Sequence, residues 1–319
     1  MSVYLVTGGA GFIGSHLVER LVEQGRRLRV VDNFLTGKRE NIAPFLDRVE
    51  FIEGDLRDPE MCRRACTGVS TVFHVAAMPS VPKSVADPVA SHDHNVNATF
   101  YLLVAARDAG VQRFIYSASS SAYGDTPVLP KAEHMSPDPL SPYAVNKLAG
   151  EQYCRAFACV YGLKTVSLRY FNVFGPRQDP MSQYAAAIPA FVTRIMAGVP
   201  PIVYGDGEQT RDFTYIDNVV QANLLAAEAD GLNGQTLNIA CGDRISVNRI
   251  IARINELLGK SVRPRYVPPR AGDIKHSWAD ITLAQRTLGF RPAVSFDDGL
   301  QRSIRWYTEH PVPVADEPS

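Results

Sequence analysis

The sequence has no net charge: 33 Lys and Arg residues balance 33 Asp and Glu residues in a chain of 319. A chain so balanced has no excess of basic charge to draw it to nucleic acid or to an anionic membrane. It also lacks any apolar run near the ~20 residues that a membrane span requires. The first strand-like run starts at Val3, so no signal peptide is expected. Cysteine is scarce and unpaired by pattern, with five scattered residues: Cys62, Cys66, Cys154, Cys159 and Cys241. Cys62 and Cys66 stand four apart, but no second pair and no histidine cluster completes a metal site. All five are expected to be reduced thiols, mostly packed, in a cytoplasmic protein. Internal repeats and long low-complexity segments are missing too, and only 310–319 reads as a loose tail. The length is ample for a large core and for one large or two modest domains.

What is present starts with a turn. The apolar run Val3-Tyr4-Leu5-Val6 leads into Thr7-Gly8-Gly9-Ala10-Gly11-Phe12-Ile13-Gly14. Then Ile13, Leu17, Val18, Leu21 and Val22 recur at helical spacing, and Gly25 comes next as a stop. This is strand, glycine turn, helix. Gly8 permits the tight turn, Gly11 lets backbone N–H groups approach a pyrophosphate, and Gly14 lets helix and strand lie close. The anion sits on the positive end of the helix. A glycine-rich turn alone is weak evidence, but the context agrees. A second apolar run, Leu28-Arg29-Val30-Val31, ends in Asp32, near the ~20-residue offset expected of a ribose-binding acid. A carboxylate there accepts from both ribose hydroxyls and repels a 2′-phosphate. The expected cofactor is NAD rather than NADP, although Lys38 and Arg39 stand in the next loop.

The first half alternates strand and helix. Strand-like runs lie at 49–52, 71–75, 113–116 and 165–169, with helical stretches near 58–67, 91–110 and 143–161. The alternation predicts an α/β fold with a doubly wound parallel sheet, whose ligands bind at the carboxyl ends of the strands. The residues after each strand are therefore the candidates. Asp55 is placed to accept from an adenine amino group, or is a solvated turn aspartate. Ala76 and Ala77 are small enough for a cofactor to lie against their backbone. Asn97 is read as holding backbone geometry or a water near the site, and His94 as a surface residue. A serine cluster, Ser117-Ala118-Ser119-Ser120-Ser121, ends the fifth strand.

Ser141 and Pro142 suit the cap and first position of the next helix. Tyr143 and Lys147 are four apart on it, hence on one face. A free phenol has a pKa of about 10. A lysine ammonium and a nicotinium charge nearby would favour the phenolate. Tyr143 then removes a proton from a substrate hydroxyl while NAD takes the hydride, and Ser119 shares that proton. A lone Tyr-x-x-x-Lys is otherwise an ordinary amphipathic helix. The fingerprint and the strand-end serine favour the catalytic reading of Ser119, Tyr143 and Lys147.

These motifs, with Arg169-Tyr-Phe-Asn-Val-Phe-Gly-Pro-Arg177, Gly205-Asp-Gly-Glu-Gln-Thr-Arg-Asp-Phe213 and Arg270-Ala-Gly-Asp273, make the chain resemble an extended short-chain dehydrogenase/reductase. Within that superfamily it is similar to the NAD-dependent nucleotide-sugar 4-epimerases, from about Val3 to Tyr307. The resemblance implies a Rossmann-type domain with a smaller C-terminal substrate-binding domain. The division expected is 1–175 and 213–241 for NAD, with 176–212 and 242–319 for a UDP-sugar. The cofactor set is Gly8, Gly11, Phe12, Ile13, Gly14, Asp32, Asn33, Asp55, Leu56, Ala76, Ala77, Asn97, Ser117, Tyr143, Lys147 and Tyr170. The substrate set takes in Ser80, Val81, Ser119, Ser120, Ser121, Tyr143, Asn172 and Ala187. By similarity, Asn172 binds a phosphate or sugar oxygen and Tyr204 stacks on the uracil. Arg211 and Arg270 hold the diphosphate, and Asp273 binds the uridine ribose. Physically, two guanidinium groups suit a diphosphate and an aromatic face suits a flat base. Either arginine is equally readable as a surface residue. No metal is expected. A homodimer through helices 91–110 and 143–161 is implied by resemblance alone.

Relatives differ in the chemistry that comes after the first oxidation. The 4,6-dehydratases carry an Asp-Glu pair where this chain has Ser120 and Ser121. The decarboxylases carry a glutamate in this region and the 3,5-epimerising relatives a cysteine. Without a second acid or base, removal and return of one hydride, hence 4-epimerisation, is the expected chemistry. Ser277 stands where relatives restricted to plain hexoses resemble a large tyrosine, and its small side chain leaves space for an N-acetyl group. UDP-GlcNAc/UDP-GalNAc interconversion is expected, with UDP-glucose/UDP-galactose possible as well. The rival readings are a UDP-glucose 4-epimerase only, a UDP-glucuronate 4-epimerase, an NAD(P)-dependent sugar-nucleotide reductase, and a non-catalytic NAD(H) sensor.

Overall fold

The computed structural model describes residues 2–180, 187–269, 275–312 and 314. Seven strands form the main sheet: β1 (Val3–Thr7), β2 (Arg27–Asp32), β3 (Glu50–Glu53), β4 (Val69–His74), β5 (Arg113–Ser119), β6 (Lys164–Tyr170) and β7 (Gln235–Ile239). They run parallel in the order β7-β6-β5-β4-β1-β2-β3. The strand order reverses between β1 and β4, and a crevice opens there at the carboxyl ends.

Helices cover both faces, as a sheet buried on two sides requires. On one face α1 (Phe12–Glu23) packs beside α5 (Ile216–Glu228), burying Leu17, Leu21, Val220 and Ala226. On the other lie α2 (Pro59–Cys66), α3 (Ala98–Asp108) and α4 (Pro142–Tyr161), burying Cys62, Leu102, Cys154 and Phe157. The sequence signals for α4 operate as expected. The Ser141 hydroxyl accepts from the Ala144 N–H at 3.2 Å, Pro142 opens the helix, and Gly162 ends it in the left-handed region. No described helix is long and apolar enough to cross a membrane.

The single helix expected over 91–110 is instead broken. A short helix Pro88–His92 passes into a π-helical turn, Asp93–Asn97, before α3 begins. The wider turn leaves Asn95 buried, with both ends of its amide bonded to the Met78 backbone.

After β6 the chain leaves the sheet. Ile202–Tyr204 pairs with Arg265–Val267, and Thr210–Arg211 pairs with Ile245–Ser246. The helices Ala187–Met196, Val247–Leu258 and Phe296–Glu309 pack around them. Between these pieces the chain returns through α5 to add β7 beside β6. The return is locked by Asn218 on α5, which is fully buried. Its amide donates to Val294 O at 2.8 Å and accepts from the N–H groups of Ala293 and Val294 at 2.9 and 3.0 Å. An Asn218→Ala variant leaves these backbone groups without their partner, and is expected to lose about 2–4 kcal/mol of stability in urea unfolding.

Candidate active site

The crevice widens into a cleft of about 1760 Å³ between the main sheet and the segments that leave it. Its glycine floor is tight. A Cβ on Gly8 would lie 2.7 Å from Ala76 Cα and N, and one on Gly14 would lie 2.0 Å from Gly8 O. Strand end, turn and helix are thus in backbone contact, and nothing larger than hydrogen fits. Gly11, Phe12 and Ile13 line the same end, with the first turn of α1 facing the opening. Backbone N–H groups at a helix start with no side chain over them suit a pyrophosphate.

Asp32 ends β2 at the cleft wall. One carboxylate oxygen accepts from Ala10 N–H at 2.9 Å and the other from Phe34 N–H at 2.7 Å. Burial pushes its pKa up, and these backbone bonds pull it back. The acid therefore braces the glycine turn, and each oxygen keeps a lone pair for a ribose hydroxyl. Asn33, Asp55 and Leu56 also line the cleft, and the Asn33 amide donates to Asp55 at 3.1 Å. Asp55, read as an adenine acceptor or a turn aspartate, is bound within its own turn at the cleft edge. Burial alone would raise its pKa, but the Arg57 guanidinium and backbone N–H hold it at about 2. Its oxygens are already engaged by Arg57 at 2.8–3.1 Å.

Ala76 and Ala77 line the cleft after β4, and the Ala76 backbone is fixed from behind. The Ala76 N–H donates to Thr7 Oγ1 at 3.2 Å, and Thr7 Oγ1 lies 2.8 Å from His74 Nδ1. His74 Nε2 lies 2.9 Å from Thr99 Oγ1, whose own proton goes to the Asn95 carbonyl at 2.7 Å. Since the Thr99 proton is committed to Asn95, Thr99 accepts from His74, and the directions assign the imidazole proton to Nε2. Burial and then the Lys147 charge push His74 down to about 3, so the ring is neutral. The residue that organises this wall is Asn95. Asn97, expected at the cofactor, instead donates to Asp93 at 2.8 Å and lines a separate hollow with Arg57, Asp58 and Tyr101. The π-turn rotates one asparagine inward and the other out. The period of the sequence gives no sign of that turn.

Ser119, Ser120, Ser121 and Tyr143 meet in the cleft wall. Ser119 Oγ accepts from Ser121 N–H at 3.2 Å and from the Ser121 hydroxyl at 2.8 Å, which leaves its own proton uncommitted on the side of Tyr143. Burial raises the Tyr143 pKa, and the hydrogen bond from Ser119 lowers it. The expectation that Lys147 itself draws the phenol down is not met within the protein. The Lys147 ammonium is buried behind the wall, donating to the Ser117 carbonyl at 2.9 Å over the Tyr116 ring. Burial draws Lys147 down to about 8. Ser117 lies with it beneath the surface, and its hydroxyl is 3.2 Å from that of Tyr170, which does line the cleft.

Of the substrate candidates, Ser80, Val81, Asn172, Ala187, Tyr204, Arg211 and Ser277 all line this cleft. Arg270 and Asp273 lie outside the described residues. Asn172 donates to the Asp212 carbonyl at 3.0 Å, and Arg211 donates to the carbonyls of Thr210 and Lys275 at 2.9 and 3.1 Å. The Ser277 N–H is fixed to the Thr210 carbonyl at 3.0 Å. Among the described residues, the non-glycine positions with positive φ are Phe34, Ser80, Asn172 and Arg177, at +56°, +102°, +31° and +64°. All four line the cleft. Such strain persists only where the surroundings impose it, and it gathers at functional sites.

A parallel sheet with this reversal, a glycine turn into a helix, and a serine–tyrosine pair backed by lysine define an extended short-chain dehydrogenase/reductase fold. The chain belongs to the NAD dependent epimerase/dehydratase family, whose model matches residues 4–240. The cofactor is accordingly NAD, and the glycine cradle and Asp32 fit it. A curated UDP-glucose 4-epimerase of Mycolicibacterium smegmatis is 36% identical over 312 residues, covering 95% of this chain and 97% of that one. A UDP-N-acetylglucosamine 4-epimerase of Methanobrevibacter ruminantium, solved with UDP-N-acetylmuramic acid, is 39% identical with a TM-score of 0.93 over 97% of this chain and 99% of that one. A UDP-glucuronic acid 4-epimerase of Bacillus cereus, solved with UDP-glucuronic acid and NAD, is 33% identical with a TM-score of 0.88 over 97% and 99%.

A Gly14→Ala substitution forces the turn apart, because its Cβ meets backbone rather than a mobile side chain. The purified variant is expected to retain less than about a tenth of the wild-type nicotinamide, read by absorbance after denaturation.

Proposed function

We propose that the protein is a UDP-hexose 4-epimerase acting through a 4-keto sugar, with UDP-GlcNAc/UDP-GalNAc as its principal pair and UDP-glucose/UDP-galactose also turned over. The observation that carries this reading is the meeting of Ser119 and Tyr143 in one cleft wall, flanked by Ser120 and Ser121 and not by carboxylates. NAD, when bound, would supply reversible hydride transfer with the sugar C4. Tyr143 takes the C4 hydroxyl proton and later gives it back. Ser119 steadies the oxygen by donating to it, and the Ser121 hydroxyl behind Ser119 polarises that donor. Lys147 supplies the positive charge beneath the pair. Epimerisation needs the ketone to present its other face, so the nucleotide must be gripped while the sugar turns. Arg211 and Tyr204 are suited to that grip, as are Arg270 and Asp273 by resemblance. The Ser277 side chain leaves room beside the sugar for an N-acetyl group.

A UDP-glucuronate reading is favoured by one feature. Lys131 lines the cleft although only 1% exposed, and its ammonium donates to the Thr126 carbonyl. A C6 carboxylate within its reach would find a cation.

The outer face of α3 and α4 exposes Phe100, Val145, Tyr153, Val160 and Tyr161. This apolar surface supports a homodimer through these helices, and sedimentation equilibrium is expected to give twice 35.0 kDa.

The holoenzyme, offered UDP-sugars without added cofactor, is expected to interconvert both N-acetylated hexoses. Turnover of UDP-glucuronate alone would replace this reading with the acidic one. Tyr143→Phe is expected to lower kcat by about 10²–10⁴. Ser277→Tyr should suppress the N-acetylated pair selectively, and an equal loss on both pairs would count against a steric gate.

A further inference from the structure

One turn beyond Lys147, helix α4 buries a carboxylate that the chemistry above leaves unused. Glu151 is 2% exposed. Its two oxygens accept from one guanidinium, Arg169 Nε–H at 2.9 Å and Nη2–H at 2.6 Å. Burial pushes the Glu151 carboxyl up, and the Arg169 hydrogen bonds and charge pull it back toward the ionised form, so the fork is read as an ion pair. Arg169 lies on β6, itself 3% exposed, with its guanidinium 4.5 Å above the Tyr123 ring and its third nitrogen without a hydrogen-bond partner. Tyr123 in turn donates to Asn238 on β7 at 2.7 Å.

Burying such a pair is costly in desolvation, and apolar side chains of equal volume often serve stability as well. Its neighbour supplies a reason for it. The Lys147 ammonium is faced from β5 by the Tyr116 ring and the Ser117 carbonyl, and from β4 by neutral His74. On its own helix it has Tyr143, Glu151 and Cys154. Burial drives the Tyr116 phenol and the Cys154 thiol upward, so both are neutral near pH 7. Among these groups only Glu151 carries negative charge. It pushes the Lys147 pKa up against the burial that draws it down to about 8.

We propose that Glu151, kept ionised by the Arg169 fork, is a positioning residue that holds Lys147 in its charged form beneath Tyr143. The proposal rests on the reading of Tyr143 and Lys147 as the proton-transfer pair. The charges alternate in sign from strand to phenol: Arg169 positive, Glu151 negative, Lys147 positive, and then the Tyr143 oxygen, which becomes negative as it loses its proton. Every member but the last is fixed before substrate arrives, so the field at the phenol needs no rearrangement.

The test is the pH dependence of kcat for the holoenzyme. Activity needs Lys147 protonated, so it falls as pH rises through the lysine's pKa. In Glu151→Gln the falling limb is expected to move down by about one pH unit or more, with KM for the UDP-sugar within about twofold. Arg169→Met, which leaves Glu151 easier to protonate, should move it the same way. A uniform fall in kcat at every pH, with the limb in place, would reduce the pair to a structural brace and overturn the proposal. Should either variant fail to fold, the double variant Glu151→Met with Arg169→Leu keeps volume without buried charge, and an unmoved limb in it overturns the proposal equally. A readout independent of turnover is the ultraviolet phenolate titration of Tyr143, obtained by subtracting the Tyr143→Phe spectrum. In the NAD-loaded protein, where Lys147 keeps its proton while the phenol titrates, it is expected to shift to higher pH in Glu151→Gln, and an unchanged titration also counts against the idea. If Tyr143→Phe stays fully active, the underlying reading fails. If it is inactive while the limb stays put, only the Glu151 proposal fails.

Discussion

The backbones of β1 and β4 come so close at the reversal of strand order that the chain tolerates only hydrogen atoms between them. Gly8 presses on Ala76, and Gly14 presses on Gly8. From this contact the rest of the site takes its position. It brings the start of α1 to the mouth of the crevice and brings Asp32, one strand away, against the turn at Ala10. It also sets Thr7 opposite His74. The bonds that run from Ala76 through Thr7, His74 and Thr99 to Asn95 then carry one direction of polarity across three strands and helices. Each hydroxyl in that chain has one proton and donates it once, so the imidazole has a single tautomer and the wall a single shape.

The groups proposed to react are built on a different principle. Tyr143 faces the cleft, and the groups that govern its charge lie out of solvent behind it. Behind the wall, Coulombic interactions are weakly screened and small displacements matter. The protein's own groups hold the phenol protonated and place a marginally stable ammonium beneath it. On the proposed reading, a positively charged ring docked in the cleft would complete the balance and the phenolate would belong to the loaded state.

Much of this was legible in the sequence, and the reason is geometric. The glycine turn, Asp32, the serine cluster and Tyr143/Lys147 are local patterns in which spacing maps directly onto position along a strand or helix. Most of the seven-strand sheet grows out of the alternation, and its last strand, Gln235–Ile239, falls in the 213–241 segment expected with the NAD-binding part. What spacing cannot report is rotation and long-range pairing. The π-turn shifted the inward asparagine from Asn97 to Asn95, since one added residue per turn is invisible to a 3.6-residue period. The bonds from Arg57 to Asp55, two residues away, leave no mark in the spacing either. Lys147 shares a helix face with Tyr143, but its ammonium finds the Ser117 carbonyl, 30 residues back. Glu151 and Arg169, 18 residues apart, give no local sign of their fork.

The path of the chain through β7 has a further consequence. The outermost strand of the sheet is contributed after the polypeptide has already departed to build the opposite wall of the cleft. A fragment ending after β6 would carry an unprotected edge, a row of bare amides and carbonyls inviting another molecule's strand. The stretch from β1 to β6 is therefore not a free-standing cassette to which any C-terminal piece can be stitched. A grafted replacement must reproduce the excursion and the return, so exchange of sugar specificity between relatives is confined to substitutions and loop grafts within a common thread.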